Sequence, residues 1–469
     1  MIAELNFSNT KIIFICLVLP VLATVFLPYC IYIIPVLFII PFILLYKEKS
    51  IILILIFSYL VFTSYLNENL RIIINLAGFA FLVFLYLKRF GLSFEHLKTL
   101  DKEFKIFLFI LLLSMILSSL FSSYIFISLK SVLQLMIFLI ICYVFYSFIE
   151  SREEIYSIIY ILIFVSLIVG IGVLYQVISL GFELFLTQTK TLVRASGIYN
   201  NPNAVGLLYA ITFPLLFSFF FFKSEFRKIV KVALFILFLF LLSVLFLTDS
   251  RASILSVAVS VFYIAFVLKR KNFLIATSIL MLILVILLFI PSIQNLISLF
   301  IRSDRILSNT RWYYWSIAFH IIQGNPIWGV GPGIFEEYIY KYLPVMLGSF
   351  AEHELYWGRS GTAHNFFLFR VTELGIPGLI IGIWIFRLAF KYSKSAIKKI
   401  KDIDYNLYVS SIAFRGIIYG MLCRAFLEST GILTHGWITR DLPFWLIFIM
   451  IIAINHKLYN RSELLENKI

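Results

Sequence analysis

The side chain best suited to moving a proton is His364, which opens the pattern His364-Asn365, nine residues, Gly375-Ile376-Pro377-Gly378. Histidine is the residue whose unperturbed pKa lies near neutrality, so it can take a proton from a hydroxyl at working pH. A lone histidine at a helix end can equally serve packing alone. Arginines offer the second kind of chemistry. Arg251 closes the turn Thr248-Asp249-Ser250-Arg251, while Arg305 and Arg311 flank Asn309. A guanidinium is a planar fork that suits phosphate oxygens. Arg194 and Asn203 bracket a stretch in which Asn201 caps a helix start and Pro202 fills its first turn. The glycines and proline of Gly329-Val-Gly-Pro-Gly333 make a turn whose backbone can approach a ligand closely.

These groups need a scaffold, and composition decides its kind. The 469 residues are 62% hydrophobic and 13% charged, with mean hydropathy +1.02. Soluble domains run about 45–50% apolar and about 25% charged, so a soluble, disordered or fibrous chain is excluded. Apolar runs near the roughly 20 residues that cross about 30 Å of hydrocarbon recur along the chain. Spans are expected near 12–28, 30–46, 51–66, 71–87, 106–122, 131–149, 155–179, 203–222, 230–248, 252–268, 273–290, 364–388, 406–427 and 441–456. The expected fold is an all-α, polytopic transmembrane helix bundle of about 12–14 spans. Residues 1–469 form a single integral membrane domain, with one large, partly helical periplasmic loop over 291–363 and a smaller outer connection over 180–202.

The net charge of +15 follows from topology. Lys and Arg crowd into alternate short loops: Lys47/Lys49, Lys88 to Lys105, Lys223 to Lys231, Lys269 to Lys271, Lys391 to Lys401, and Lys457/Arg461. The positive-inside bias makes those loops cytoplasmic and the loop before His364 external, so no nucleic-acid partner is expected. Residue 1 is expected to stay in the cytoplasm, since no cleavable signal pattern precedes the first span. Cys16, Cys30, Cys142 and Cys423 fall in or beside apolar spans, with neither zinc spacing nor a disulfide framework.

Other charges within spans have structural readings. Arg370 and Glu373, three apart, share a helix face and should neutralise each other inside the bundle. Glu373 is half a turn around the helix from His364 and does not orient that imidazole. Arg424 and Glu428 form a similar four-apart pair, and Arg415 lies deeper. Gly375, Pro377 and Gly378 should kink or break the twelfth span. Asp402-Ile-Asp404 resembles a metal-holding acidic pair, but sits on a Lys-rich connector with no α/β domain around it. No metal or cofactor is expected, and no inverted repeat of the transporter type is visible.

Taken together, Asn200-Asn-Pro-Asn203, Ser250-Arg251, Arg311 with Trp315, Gly329 to Gly333, and His364-Asn365-X9-Gly375-X2-Gly378 resemble the O-antigen ligase/O-antigen polymerase superfamily of bacterial membrane glycosyltransferases. The resemblance covers roughly 194–380. It implies an enzyme of the cytoplasmic (inner) membrane, multi-pass, with its active site facing the periplasm. Such enzymes move a glycan from undecaprenyl diphosphate to an acceptor hydroxyl, on lipid A-core for ligases or on another lipid-linked repeat for polymerases. By resemblance, Arg251 and Arg311 hold the diphosphate and His364 is the catalytic base or positions the acceptor. Arg194, Asn203, Arg305 and Asn365 support them, without a metal. A different reading, a flippase of lipid-linked sugars, rests on Arg370, Glu373 and Arg415. Where the superfamily often has glycine after Ser-Arg, this chain has Ala252.

Overall fold

Apolar side chains all round a helix mark a segment with no aqueous face, and that pattern produces the observed elements. The computed structural model describes residues 48–61, 68–180, 194–199, 201–222, 228–269, 271, 310–342 and 361–458. The expected spans at 12–28, 30–46 and 273–290 lie outside the described residues, as do Cys16, Cys30 and Arg305. In chain order the helices are α1 (Glu48–Val61), α2 (Glu68–Phe90), the single turn α3 (Glu95–Lys98), α4 (Lys102–Leu120), α5 (Ile125–Phe148), α6 (Arg152–Leu180) and α7 (Pro202–Phe222). Then follow α8 (Lys228–Leu247), α9 (Arg251–Leu268), α10 (Thr310–Gly324), α11 (Phe335–Tyr342), α12 (Phe366–Leu374), α13 (Ile376–Ile400), α14 (Tyr405–Ala425) and α15 (Ile438–Ala453). Among the described residues there is no strand, and eight helices are long and apolar enough to cross a membrane. The protein is an all-α, multi-pass helix bundle.

Most helix ends fall within a few residues of the expected span boundaries, and the twelfth span breaks where its sequence says it should. Gly375 adopts φ +66, ending α12 and starting α13 with Pro377 in its first turn. That backbone angle is open to glycine and strained for other residues. The large loop is partly helical, as expected. Tyr314, Ile317, Ala318 and Ile321 of α10 form an apolar cluster with Phe335 and Ile339 of α11 and with Phe369 of α12.

Small residues set the closest helix approach. α9 packs along α14, with Ser253, Ser256 and Ser260 buried on one side and Gly416 and Gly420 on the other. A Cβ at Gly420 would stand 2.8 Å from the Ser256 hydroxyl and closer still to its carbonyl. Glycine and serine let transmembrane backbones come together where larger side chains hold them apart. This contact fixes the last turn of α14, with Arg424, against the first turn of α9. Gly420→Leu is therefore expected to destabilise the bundle by about 1–3 kcal/mol through overpacking. Thermal melting of purified protein measures it, and an unchanged midpoint would contradict the close packing.

Charge divides the two ends of the bundle. At one end Arg89 pairs with Glu150 at 2.7 Å, Arg152 with Asp404 at 3.1 Å, and Lys391 with Glu103 at 2.6 Å. Asp404 also caps α14 by accepting from the Leu407 amide at 2.9 Å. Asp404 of the Asp402-Ile-Asp404 motif thus has a helix-capping, ion-pairing role. His364, Arg311 and the start of α9 stand at the opposite end.

Candidate active site

The segment after α14 builds the site. α14 stops at Ala425, and residues 426–437 turn back into the protein, where Glu428, Ser429, Thr430, Ile432 and Leu433 are buried. Asp441 of α15 holds this return by accepting from the Thr434 amide at 2.5 Å and its hydroxyl at 2.8 Å. Trp445 adds a bond from its indole N–H to the Ile432 carbonyl, 2.7 Å. A loop bonded so completely can carry a carboxylate inward without leaving its own backbone unsatisfied.

That carboxylate is Glu428, and the sequence-predicted residues meet on it. Arg311, from the first turn of α10, donates to its Oε1 at 3.0 Å. His364 stands 3.1 Å from its Oε2 through Nδ1. Asn203, from the first turn of α7, donates Nδ2 to Oε1 at 3.1 Å. Arg194 in turn donates to the Asn203 side-chain oxygen, and to the Thr248 carbonyl at 3.2 Å. Ser250 donates to the same Asn203 oxygen at 3.3 Å. Arg251 follows Ser250 as the first residue of α9, with its side chain exposed. His364, Arg311, Arg194 and Asn203 are thus joined in one hydrogen-bonded chain, and Arg251 emerges at its edge.

Burial works against the ionised form of Glu428, but His364, Arg424 and Arg311 outweigh it and hold the carboxyl down at about 2. In the neutral imidazole a carboxylate beside Nδ1 accepts a hydrogen bond from it, so Nδ1 carries the hydrogen and Nε2 keeps its lone pair. Nε2 makes no hydrogen bond among the described residues, and the His364 side chain is 20% exposed. The imidazole is held as an acceptor aimed away from its carboxylate. The backbone shows how firmly: His364 sits at φ +51, a left-handed conformation uncommon outside glycine. Asn365 secures it. Its side chain caps α12 by accepting from the Leu368 amide at 3.0 Å and donates to the Phe426 carbonyl at 3.1 Å, while its own amide donates to Ser429 at 2.9 Å.

Two expectations need correction. Arg424 and Glu428 are not a helical pair, because the helix ends between them. The Arg424 guanidinium instead donates to the Thr430 carbonyl at 2.6 Å, the Asn203 carbonyl at 3.3 Å and the Ser253 hydroxyl at 3.4 Å. It ties α7, α9 and the return loop together beneath the site. The Gly329–Gly333 turn is likewise structural. The amides of Val330 and Gly331 donate to the carbonyls of Thr372 and Glu373, both at 3.0 Å, and a side chain on Gly329 would run into the Glu373 backbone. The close approach that glycine permits is to α12 at Gly329, and to Ser122, Ser128 and Ser131 at the α4–α5 corner and on α5 at Gly331 and Gly333.

The buried Arg370–Glu373 pair behaves as its spacing implies, at 2.6 Å, and gains a partner the sequence did not announce. His435 of the return loop lies 2.7 Å from Glu373 through Nε2, and the Gly333 amide donates to the same carboxylate at 2.7 Å. This second cluster locks the glycine turn, α12 and the return loop to one another. Among the described residues no group of three His, Cys, Asp or Glu could hold a metal ion.

Residues 235–383 match the family model described as O-antigen ligase. That stretch, about a third of the chain, supports the resemblance to the O-antigen ligase/polymerase superfamily. The ligase-type segment contains Arg251, Arg311 and His364, whereas Arg194, Asn203 and Glu428 come from outside it. Half of the Glu428 network is therefore supplied by the flanking segments. No curated protein matches the chain.

Proposed function

We propose that this protein transfers a glycan from an undecaprenyl-diphosphate carrier to an acceptor hydroxyl, as an O-antigen ligase with lipid A-core as acceptor, on the periplasmic face of the inner membrane. The observation that carries the reading is the meeting of Arg311 and His364 on the single carboxylate of Glu428. In the reaction the acceptor oxygen bonds to the anomeric carbon, the bond from that carbon to the diphosphate oxygen breaks, and the hydroxyl proton passes to His364 Nε2. Arg311 and Arg251 take up the charge that grows on the departing diphosphate, since fixed cations in a low-dielectric site need little reorganisation as charge develops. Glu428 keeps Arg311 and the imidazole in register before substrate arrives. Arg194 and Asn203 fix Glu428.

Physical economy favours transfer over transport. A transporter of lipid-linked sugars would keep its charged groups for the cargo near mid-membrane, whereas Arg370 and Glu373 satisfy each other, His435 and the glycine turn. The experiment that separates the classes is deletion of the gene followed by gel analysis of surface glycans. Loss of capped lipid with long lipid-linked polymer retained supports the ligase. Products of a single repeat would replace it with a polymerase, and repeats trapped inside the cell would replace it with a flippase.

A prediction on the donor side follows. Arg251→Ala and Arg311→Ala are each expected to weaken use of the diphosphate donor by about ten- to a hundredfold, the range for losing a charge-assisted hydrogen bond. Lysine at either position should rescue incompletely, because the fork is lost. Donor kinetics in a reconstituted transfer assay measure this, and unchanged values in both variants would remove the arginines from donor binding.

A further inference from the structure

Far from the site, at the end of the bundle that carries the lysine-rich connectors, α4, α5 and α15 leave a cavity of about 390 Å³ between them. Its floor includes Leu108, Leu112, Cys142 and Trp445, and its mouth includes Phe94, Met136 and Ile140. The mouth residues are 41–59% exposed, so the cavity opens sideways as a groove. Along α4 it runs from Phe104 to Leu112, about 12 Å at 1.5 Å per residue. Its size falls within the range of roughly 300–1,000 Å³ seen for small-molecule sites. Water has no partners on such a surface, and an apolar cavity this large does not hold it. Hydrocarbon does.

The rim says which hydrocarbon. Lys98 follows the lining residue Leu97 directly, and Lys102 and Lys105 stand two before and one after the lining residue Phe104. All three lysines are exposed, and none makes an ion pair among the described residues. The neighbouring acids are otherwise engaged: Asp101 and Glu103 with Lys391, and Glu150 with Arg89. Among the described residues nearby, Glu95 is the acid left to offset the three cations. The polar edge is completed by Thr99 and Tyr146, whose hydroxyls are 2.7 Å apart, with the Lys457 ammonium 4.2 Å over the Tyr146 ring.

We propose that this groove is a binding site for an anionic glycerophospholipid, with one acyl chain along α4 and its phosphate over Lys98, Lys102 and Lys105. On the orientation expected from the loop charges this is a lipid of the cytoplasmic leaflet, where anionic headgroups draw basic side chains to the surface. The site is independent of the transfer reaction. It clamps α4 and α5 to α15, whose first turn anchors the return loop bearing Glu428.

Native mass spectrometry of the purified full-length protein released from bilayers of equal phosphatidylglycerol and phosphatidylcholine tests the proposal. The expected result is one retained phosphatidylglycerol, held about tenfold or more over phosphatidylcholine. Leu108→Trp, which fills the floor, should remove it, while Leu113→Trp on the exposed face of the same helix should not. Joint Lys98→Gln and Lys102→Gln, both on the surface and harmless to packing, should abolish the headgroup preference but keep chain occupancy. Retention undiminished in Leu108→Trp, equal binding of both lipids by the native protein, or no retained lipid at all would each overturn the assignment.

Discussion

Replacing His364 by alanine is expected to lower the rate of glycan transfer by about 10²- to 10⁴-fold, the span associated with a lost general base. The protein should remain folded in the membrane, because the α12 cap belongs to Asn365 and the return loop is held by Asp441 and Trp445. Folding and activity should therefore separate cleanly. The check is the transfer rate per folded protein in proteoliposomes, with melting as the control. A variant that transfers at the native rate would remove His364 from the mechanism.

Glu428→Gln should be nearly as damaging, although no substrate contact is assigned to it. The amide keeps the shape but loses the charge that fixes the His364 tautomer and balances Arg311 and Arg424. Misplacement of a catalytic group by about 1 Å can by itself cost about 10²-fold, which sets the expected fall in kcat. A positioning role predicts three further results: a displaced pH–rate profile, a smaller change in KM for the donor, and partial rescue by Glu428→Asp. A purely structural role would lower the amount of folded protein and leave the profile of the remainder unchanged.

The pH dependence of this carboxylate has a definite sign. Its folded value is depressed to about 2 from the usual carboxylate range, so its stabilising contribution is complete above that range and disappears only as pH falls through about 2. Between pH 5 and 8 the Glu428 carboxylate keeps its charge. The stability difference between native protein and Glu428→Gln should accordingly be flat across that window, as melting at several pH values would reveal.

Spans were legible because hydrocarbon imposes length and composition together; α7 begins at the expected Pro202 and the twelfth span breaks at the expected Gly375. The arginines and histidine were legible because charge at the edge of a span is costly and stands out against an apolar background. Glu428 was not. Its four-residue spacing from Arg424 reads as a self-satisfied helical pair, and only the end of α14 at Ala425 frees it to reach His364, which is 64 residues away in sequence. His435 escaped notice for the same reason, lying 62 residues from Glu373 in a loop whose burial no local pattern encodes. One signal was present: the run Leu427-Glu-Ser-Thr-Gly-Ile-Leu-Thr-His-Gly436 joins two apolar helices yet is rich in side chains that bond backbone. The Gly329–Gly333 turn misled in the opposite sense, since glycine permits close approach without saying to what.

The most direct test is a single-turnover measurement in proteoliposomes, with lipid-diphosphate-linked glycan bound first and acceptor added second. The account predicts that His364→Ala binds the donor as the native protein does but releases no undecaprenyl diphosphate, and that Arg311→Ala fails earlier, at donor capture. If both variants instead bind donor normally and release the carrier at the native rate, the cluster on Glu428 is not the site of transfer.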